Sequence, residues 1–597
     1  MMKYKVITLF LVVVLGLVVL AMTGKKDEEK AHVVHGTDYD VIVIGGEPEG
    51  VAAAVSAARN GAHVLFVEHR DGLGGLITYG MLNYLDLPQN ANGDLTSKGI
   101  FEEWWKLVGG SSVTTVDIEE SKQAFLQLVE NEPNINLMLN TEVTQINKNG
   151  KNIESIVLSD GKTYTGKQFI DTTADAEFAI DAGVSYTTGQ HDFGVDSKMA
   201  VTLMIHLKDV DWAKVKKAGK DGILGGAEVT ERAAWGFPEV LHTYDEQEEN
   251  TQVRGLNIGR TKNEEVFINA LQIFYVDGLD EAQKAAAIEE GTRESEAFLV
   301  WLQQNLPGFE NATFASIPTE LYVRETTHIN ALYRLTIADV WESTDKYDVI
   351  AYGSYPVDVQ ATKKGNYGNV LTPANQYAIP LRSLLPLEID NLQVASKASG
   401  YDSLAAGSAR IIPTGMSVAE AAGIVAIYAI DQDATLKAIP DDSKAIESIQ
   451  KTLRSQGAYL SALPKSYKFP YEDDAIYPSL KILYSYELIS GGYKNDFGLE
   501  KTVSELTFNR LLKNAYSRLM PDAFVQLEST FTQFEKQLSG EVPLTATSLN
   551  KILSTIKGET TNYTFTNEQL TARDVYPIIA DEIAPYVADY KINNEDY

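Results

Sequence analysis

The chain has 597 residues, 44% of them hydrophobic and 22% charged, which excludes a small stapled scaffold, a disordered chain and a multi-span membrane protein. Its 51 Lys and Arg against 82 Asp and Glu leave a net charge of -31, which repels a phosphate backbone and argues against nucleic acid as a partner. With no cysteine there is no disulfide, thiolate metal site, thiol nucleophile or thioether-linked flavin, so redox chemistry has to come from a bound organic cofactor or a non-thiolate metal.

Residues 6–22 are a 17-residue run without a charge, preceded by Lys3 and Lys5. As a helix the run spans about 25 Å, the short limit for a bilayer crossing and slightly long for a cleaved signal core. Segment 1–24 therefore reads as a signal anchor or a signal peptide. A cleavage site after Ala21 lacks the Ala-x-Ala pattern, which favours a single-pass anchor with the bulk of the chain outside the cytoplasm over secretion. Residues 25–37, rich in Lys and Glu, read as a solvated linker.

Asp40-Val41-Ile42-Val43-Ile44 is a β-branched apolar run suited to a strand buried on both faces. Gly45-Gly46-Glu47-Pro48-Glu49-Gly50 follows, then an alanine-rich helix from Val51 to Asn60 stopped by Gly61, and a second strand over residues 63–67 ending in Glu68. In such a unit glycines let the backbone turn beside a pyrophosphate, the helix N-terminus offers N–H groups to it, and the acid accepts ribose hydroxyls. Gly45, Gly46, Gly50 and Glu68 are thus candidate dinucleotide contacts. Glu47 stands where the middle glycine of G-x-G-x-x-G is expected, so its side chain must point away for tight binding. His69-Arg70-Asp71-Gly72-Leu73-Gly74-Gly75-Leu76 continues from the acid, and the Gly74-Gly75 pair suits a second close approach to a pyrophosphate, which favours FAD over a nicotinamide.

These segments resemble the FAD-dependent oxidoreductase family of two-dinucleotide-domain flavoproteins, related to the fumarate reductase and glutathione reductase folds. The likeness covers about residues 38–463. It includes Asn140-Thr141-Glu142-Val143, where the resemblance implies an adenine contact at Val143, and Asp171-Thr172-Thr173-Ala174-Asp175-Ala176, similar to D-A-T-G-D-A with Ala174 replacing glycine. It also includes Arg410-Ile411-Ile412-Pro413-Thr414-Gly415-Met416-Ser417-Val418-Ala419, with Ala419 where glycine is usual. The resemblance implies cofactor contacts at His69, Arg70, Gly74, Gly75, Thr173, Asp175, Arg410, Pro413, Met416 and Ser417. A strand from Leu392 leading to a helix from about Thr414 also places a helix dipole where it stabilises negative charge on a flavin.

The fold expected is α/β: a Rossmann-like FAD/NAD(P)-binding domain with an inserted α+β cap, followed by an α-helical accessory domain. Residues 185–360 turn to strand-like alternation, broken by a strong helix from about Glu281 to Gln304, and read as the cap over the substrate. Arg324 and His328 in Tyr322-Val323-Arg324-Glu325-Thr326-Thr327-His328 are candidate catalytic residues: an arginine holds a carboxylate or enediolate, and a histidine takes a hydroxyl proton. The same residues also read as a structural Arg324–Glu325 pair and a core histidine. Gln360 stands where the family often has histidine. The eight histidines form no metal set.

Residues 464–597 carry no flavin signal. Their helix, glycine turn and helix resemble an S-layer homology repeat, a wall-binding module, without its usual arginine. Three starts recur there, each an apolar residue followed by a Ser or Thr cap: Val503-Ser504, Leu544-Thr545 and Leu570-Thr571. The function expected is hydride transfer between a small polar organic substrate and FAD, with an unidentified electron acceptor, membrane attachment through the N-terminal segment and cell-wall contact through the C-terminal region. The alternative is a non-catalytic cell-surface binding protein on a flavoprotein scaffold, its FAD site weakened at Glu47, Ala174 and Ala419.

Overall fold

The computed structural model describes residues 36–110 and 115–592; the anchor and most of the linker lie outside the described residues. The β-branched run forms β1 (Asp38–Ile44), followed by β2 (Val64–Val67), β3 (Ile135–Met138), β4 (Val143–Asn149), β5 (Asn152–Leu158), β6 (Thr163–Asp171) and β7 (Leu392–Val394). They make one sheet in the order β3-β2-β1-β6-β5-β4. β1 lies parallel to both β2 and β6, and β7 extends the parallel set along Phe169, Ile170 and Asp171 of β6. The other end of β6 joins β5 and β4 in an antiparallel meander.

Helix α1 (Pro48–Arg59) crosses from β1 to β2, its start fixed by Pro48 in the first turn. Its alanines bring it against a buried helix, Ile412–Asp431, so closely that a Cβ on Gly423 would lie 2.7 Å from the Ala53 carbonyl oxygen and the Ala57 nitrogen. Ser56 Oγ donates to the Glu420 carbonyl at 2.6 Å across the same contact. Helix Ile412–Asp431 is long and apolar enough to cross a membrane, and its near-complete burial here makes it a core helix.

The region expected as the cap holds a second, antiparallel sheet in which Thr251–Arg260 and Val266–Ile273 form the central pair. Its long helix runs Glu281–Asn305, one residue past the expected end, with Asp280 accepting from the backbone nitrogens of Ala282 and Gln283 at 3.0 and 3.1 Å.

The three C-terminal starts are real helix caps. Ser504, Thr545 and Thr571 precede helices Glu505–Leu519, Ala546–Lys557 and Ala572–Ile583. Their backbones close into a ring: Val503 N donates to Leu570 O, Leu570 N to Leu544 O, and Leu544 N to Val503 O, all at 2.8–2.9 Å. The triplication read from the sequence is therefore a three-part arrangement in space. This region shares one hydrophobic core with α1 and helix Ile412–Asp431. Trp341 packs on Tyr484 and Phe497 with ring centres 4.9 and 5.4 Å apart. Fully buried Lys591 bridges Asp192 at 3.5 Å and Asp402 at 3.3 Å.

Candidate active site

The β1-α1 turn works only with glycine at its ends. Gly45 has φ +101°, and a Cβ there would lie 2.6 Å from Thr173 N; a methyl on Gly50 would overlap the Gly45 carbonyl oxygen. Gly46 N donates to the Glu68 carboxylate at the end of β2, which also accepts from Arg70 N at 2.6 Å and faces His69 Nδ1 at 3.0 Å. Burial opposes the charge of Glu68, but His69 and Arg70 hold its carboxyl below the ordinary range.

Glu47 does not point away. It is buried, its Oε2 accepts from Leu76 N at 3.0 Å, and its Oε1 takes Arg70 Nη2 at 2.8 Å, which lays the carboxylate over Gly75. A side chain on Gly75 would collide with it. The Glu47 side chain, which tight binding requires to point away, thus lines the first cavity with its carboxylate paired to Arg70. Arg70 is itself held by Glu47, Glu68 and Glu320, the last at 2.5 Å. Burial, opposed by Arg70 and aided by Glu320, raises the Glu47 carboxyl above its usual value. Burial and the neighbouring Glu47 push Glu49, in the first turn of α1, up to about 8.

Two cavities adjoin here. The first, about 370 Å³, is walled by Glu47, Glu49, Arg70, Asp175, Lys284 and Lys397 among others. The second, about 360 Å³, is walled by Trp235, Arg254, Tyr322, Arg324, Asp358 and Arg410 among others. Leu76, Arg410 and Ile412 belong to both walls, so the cavities meet at the N-terminus of helix Ile412–Asp431.

Of the cofactor residues expected from sequence, His69, Arg70, Asp175 and Arg410 line the first cavity and Pro413 the second. Asp175 pairs with Lys397. Gly45, Gly46, Gly50, Glu68, Gly74 and Gly75 form the turns around the first cavity without lining it, joined by Gly74 N donating to Gly46 O at 2.8 Å. Met416 and Ser417 are buried in the early turns of their helix, Ser417 Oγ donating to Pro413 O at 3.2 Å. Thr173 lies at the end of β6, its N and Oγ1 bonded to Asp171 at 2.8 and 2.6 Å, and lines neither cavity. Half-buried Val143 opens β4 and also lines neither.

Arg324 lines the second cavity and is 2% exposed. Its Nη1 donates to Ala200 O at 3.0 Å and Thr202 Oγ1 at 2.9 Å, its Nη2 reaches Asn269 Oδ1 at 3.4 Å, and the guanidinium lies 4.1 Å from the centre of the Tyr322 ring. Burial pushes it down to about 10. It makes no pair with Glu325. His328 requires correction as a proton-transfer group: it is 1% exposed, lines neither cavity and bonds Glu325 Oε1 at 3.0 Å, where Ser403 also donates. The strand Thr327–Ile329, paired with Tyr186–Thr188, holds it in the interior.

Sequence reasoning missed Arg254, Asp358, Trp235 and Lys397. Arg254 had a signal: Arg-Gly interrupts an apolar alternation, and the register of Thr251–Arg260 against its partner shifts between Val253 and Asn257. The C-terminal region adds Tyr493 to the second cavity, anchored by Gly491 N on Leu371 O at 3.1 Å and Thr372 Oγ1 on Asn495 Oδ1 at 2.7 Å.

A family model described as FAD dependent oxidoreductase matches residues 40–453. The chain belongs to this family. Among solved structures it is similar to a geranylgeranyl bacteriochlorophyll reductase-like protein from Thermoplasma acidophilum, at 11% identity and TM-score 0.37 over 92% of this chain and 99% of that one. It is also similar to p-nitrophenol 4-monooxygenase from Pseudomonas putida, at 11% identity and TM-score 0.33 over 71% and 87%, and to a myxobacterial chondrochloren halogenase, at 11% and 0.36 over 76% and 91%. At that distance no residue role passes from them to this chain.

FAD is the cofactor of the family, and the residues present fit it. The turn admits no side chain at Gly45 or Gly50, an acid closes β2 and braces that turn through Gly46 N, and the first cavity shares Leu76, Arg410 and Ile412 with the second. Arg70, Lys397 and the backbone at Leu76 place positive charge and donors on the wall of the first cavity, Arg70 and Leu76 N held by Glu47 and Lys397 by Asp175.

Proposed function

We propose that the protein is a membrane-anchored, extracytoplasmic FAD-dependent oxidoreductase that moves hydride between a small polar organic substrate and the flavin. The observation that carries this reading is the polar second cavity, which shares Leu76, Arg410 and Ile412 with the cofactor cavity. FAD, when bound, supplies a two-electron hydride partner. Arg324 and Arg410 orient the substrate from the cavity wall. Asp358, which accepts from Gln360 Nε2 at 2.6 Å and faces Arg410 at 3.4 Å, is placed to take or return a hydroxyl proton in the role first expected of His328. Leu76, Leu82, Ile411 and Ile412 contribute an apolar wall that excludes water.

The uncharged run at residues 6–22 behind Lys3 and Lys5 supports anchoring, with secretion after cleavage as the other outcome. Cell-wall contact through residues 464–597 rests on the resemblance of their capped helix starts to an S-layer homology repeat. The experiment is a visible spectrum of the purified full chain, followed by anaerobic addition of sugars, hydroxy acids and amines. Bleaching of the oxidised-flavin bands by one class is the expected result, and a chain that holds FAD but is bleached by none contradicts the catalytic reading.

A further inference from the structure

The second cavity holds more positive charge than its own carboxylates answer. Arg410 is matched by Asp358 and by the Tyr322 hydroxyl, which it meets at 2.7 Å. Arg324 has only neutral acceptors, the Ala200 carbonyl, Thr202 and Asn269. Among the described residues the Arg254 side chain has no hydrogen-bond or ion-pair partner, and its Nε is buried. Three guanidinium groups, Arg254, Arg324 and Arg410, line this cavity against two carboxylates, Asp86 and Asp358, and neither carboxylate bonds Arg254 or Arg324, an arrangement that is costly unless an anion completes it. The fork of an arginine suits a carboxylate, and Arg254 projects from the strand where its register shifts.

The rest of the wall is equally specific. Asp86, Asp358, Asn257 and Gln360 present acceptors and amides suited to hydroxyl groups. Trp235 and Tyr355 add flat faces of the kind that cover the C–H side of a sugar ring, and the Tyr355 hydroxyl is engaged with Asp86 at 3.1 Å. A plain dicarboxylate would leave most of these polar groups without partners, and a neutral sugar would leave Arg254 without one.

We propose that the substrate is a polyhydroxylated carboxylate of the sugar-acid class, its carboxylate held by Arg254 with Arg324 beside it. This rests on the oxidoreductase reading above and narrows its substrate. Arg254 is the residue that sets the preference for the acid over the neutral sugar.

The test uses the full chain loaded with FAD, kept anaerobic, and titrated with galacturonate, galactose and succinate while tryptophan fluorescence and flavin absorbance are followed. Galacturonate is expected to bind at least ~10-fold more tightly than either of the others. Arg254→Gln is expected to weaken galacturonate ~10–100-fold and leave galactose unchanged, with Arg254→Lys recovering part of the loss. Flavin content and melting temperature of each variant establish that it is folded. Equal binding of galactose and galacturonate, succinate binding as tightly as galacturonate, or an unchanged preference in folded Arg254→Gln overturns the inference. A chain that holds FAD but shows no preference sinks this inference and leaves the oxidoreductase reading standing. A chain without FAD whose fluorescence still reports the preference supports the inference and sinks that reading.

Discussion

Glu49 makes the stability of the protein depend on pH in a direction opposite to that of a salt-bridged acid. It sits in the first turn of α1, buried, with Glu47 beside it and opposed only weakly by Lys397, which is paired with Asp175, and a Cβ at Gly415 would clash with its carboxylate. Burial first and Glu47 second push the carboxyl from 4.5 to about 8. The folded chain therefore keeps a proton that the unfolded chain releases between those values. The penalty is absent below about pH 4.5, grows as pH rises, and is complete above about pH 8. At about 1.4 kcal/mol for each pH unit, the loss comes to about 5 kcal/mol. With an unfolding entropy of about 2.1 cal/mol/K per residue over Thr37–Tyr597, that corresponds to a melting shift of about 4 °C. Glu49→Gln mimics the protonated acid. Melting curves of variant and parent should coincide at about pH 5 and separate with rising pH, the variant melting higher by about 4 °C at about pH 9. FAD affinity, followed by flavin fluorescence, should fall above about pH 8 in the parent and stay level in the variant, because an ionised Glu49 opposes a diphosphate in the same cavity. A constant offset across the pH range, or a parent that melts higher at alkaline pH, refutes the reasoning.

Gly50→Ala would press a methyl on the Gly45 carbonyl, and the turn has no flexible side chain there to yield; the flavin-to-protein ratio of the purified variant should drop severalfold, with about 2 kcal/mol or more of lost stability in a urea titration. Lys591→Met strands Asp192 and Asp402 in the interior and should cost about 3–5 kcal/mol, read as faster proteolysis within residues 464–592. His328→Gln should keep flavin content and leave the rate of flavin reduction within about twofold of the parent, while its broken bond to Glu325 lowers the melting temperature.

What was legible in the sequence is what local chemistry decides. A β-branched run, glycines in a turn and an acid at the next strand end place β1, α1 and β2 within a few residues. Ser504, Thr545 and Thr571 declare helix starts because a cap depends only on its own first turn. The side chain of Glu47 was not legible, because its direction is set by Arg70 and Leu76, 23 and 29 residues away. His328 looked chemical from its neighbours Arg324 and Glu325, but its pairing with strand Tyr186–Thr188 turned it into the core. The second cavity was the least legible part, since Arg254, Asp358 and Tyr493 come from three distant segments that no spacing relates. The length of helix Ile412–Asp431 is that of a membrane span, and only its packing on α1 identifies it as core.

The central claim is that the two adjoining cavities hold FAD and its substrate. It is tested most directly by quantifying FAD released from the purified, reconstituted full chain and from Gly50→Ala treated identically. The account predicts one FAD for each chain in the parent and a marked deficit in the variant. A parent that retains no FAD, or a variant that retains as much as the parent, contradicts it.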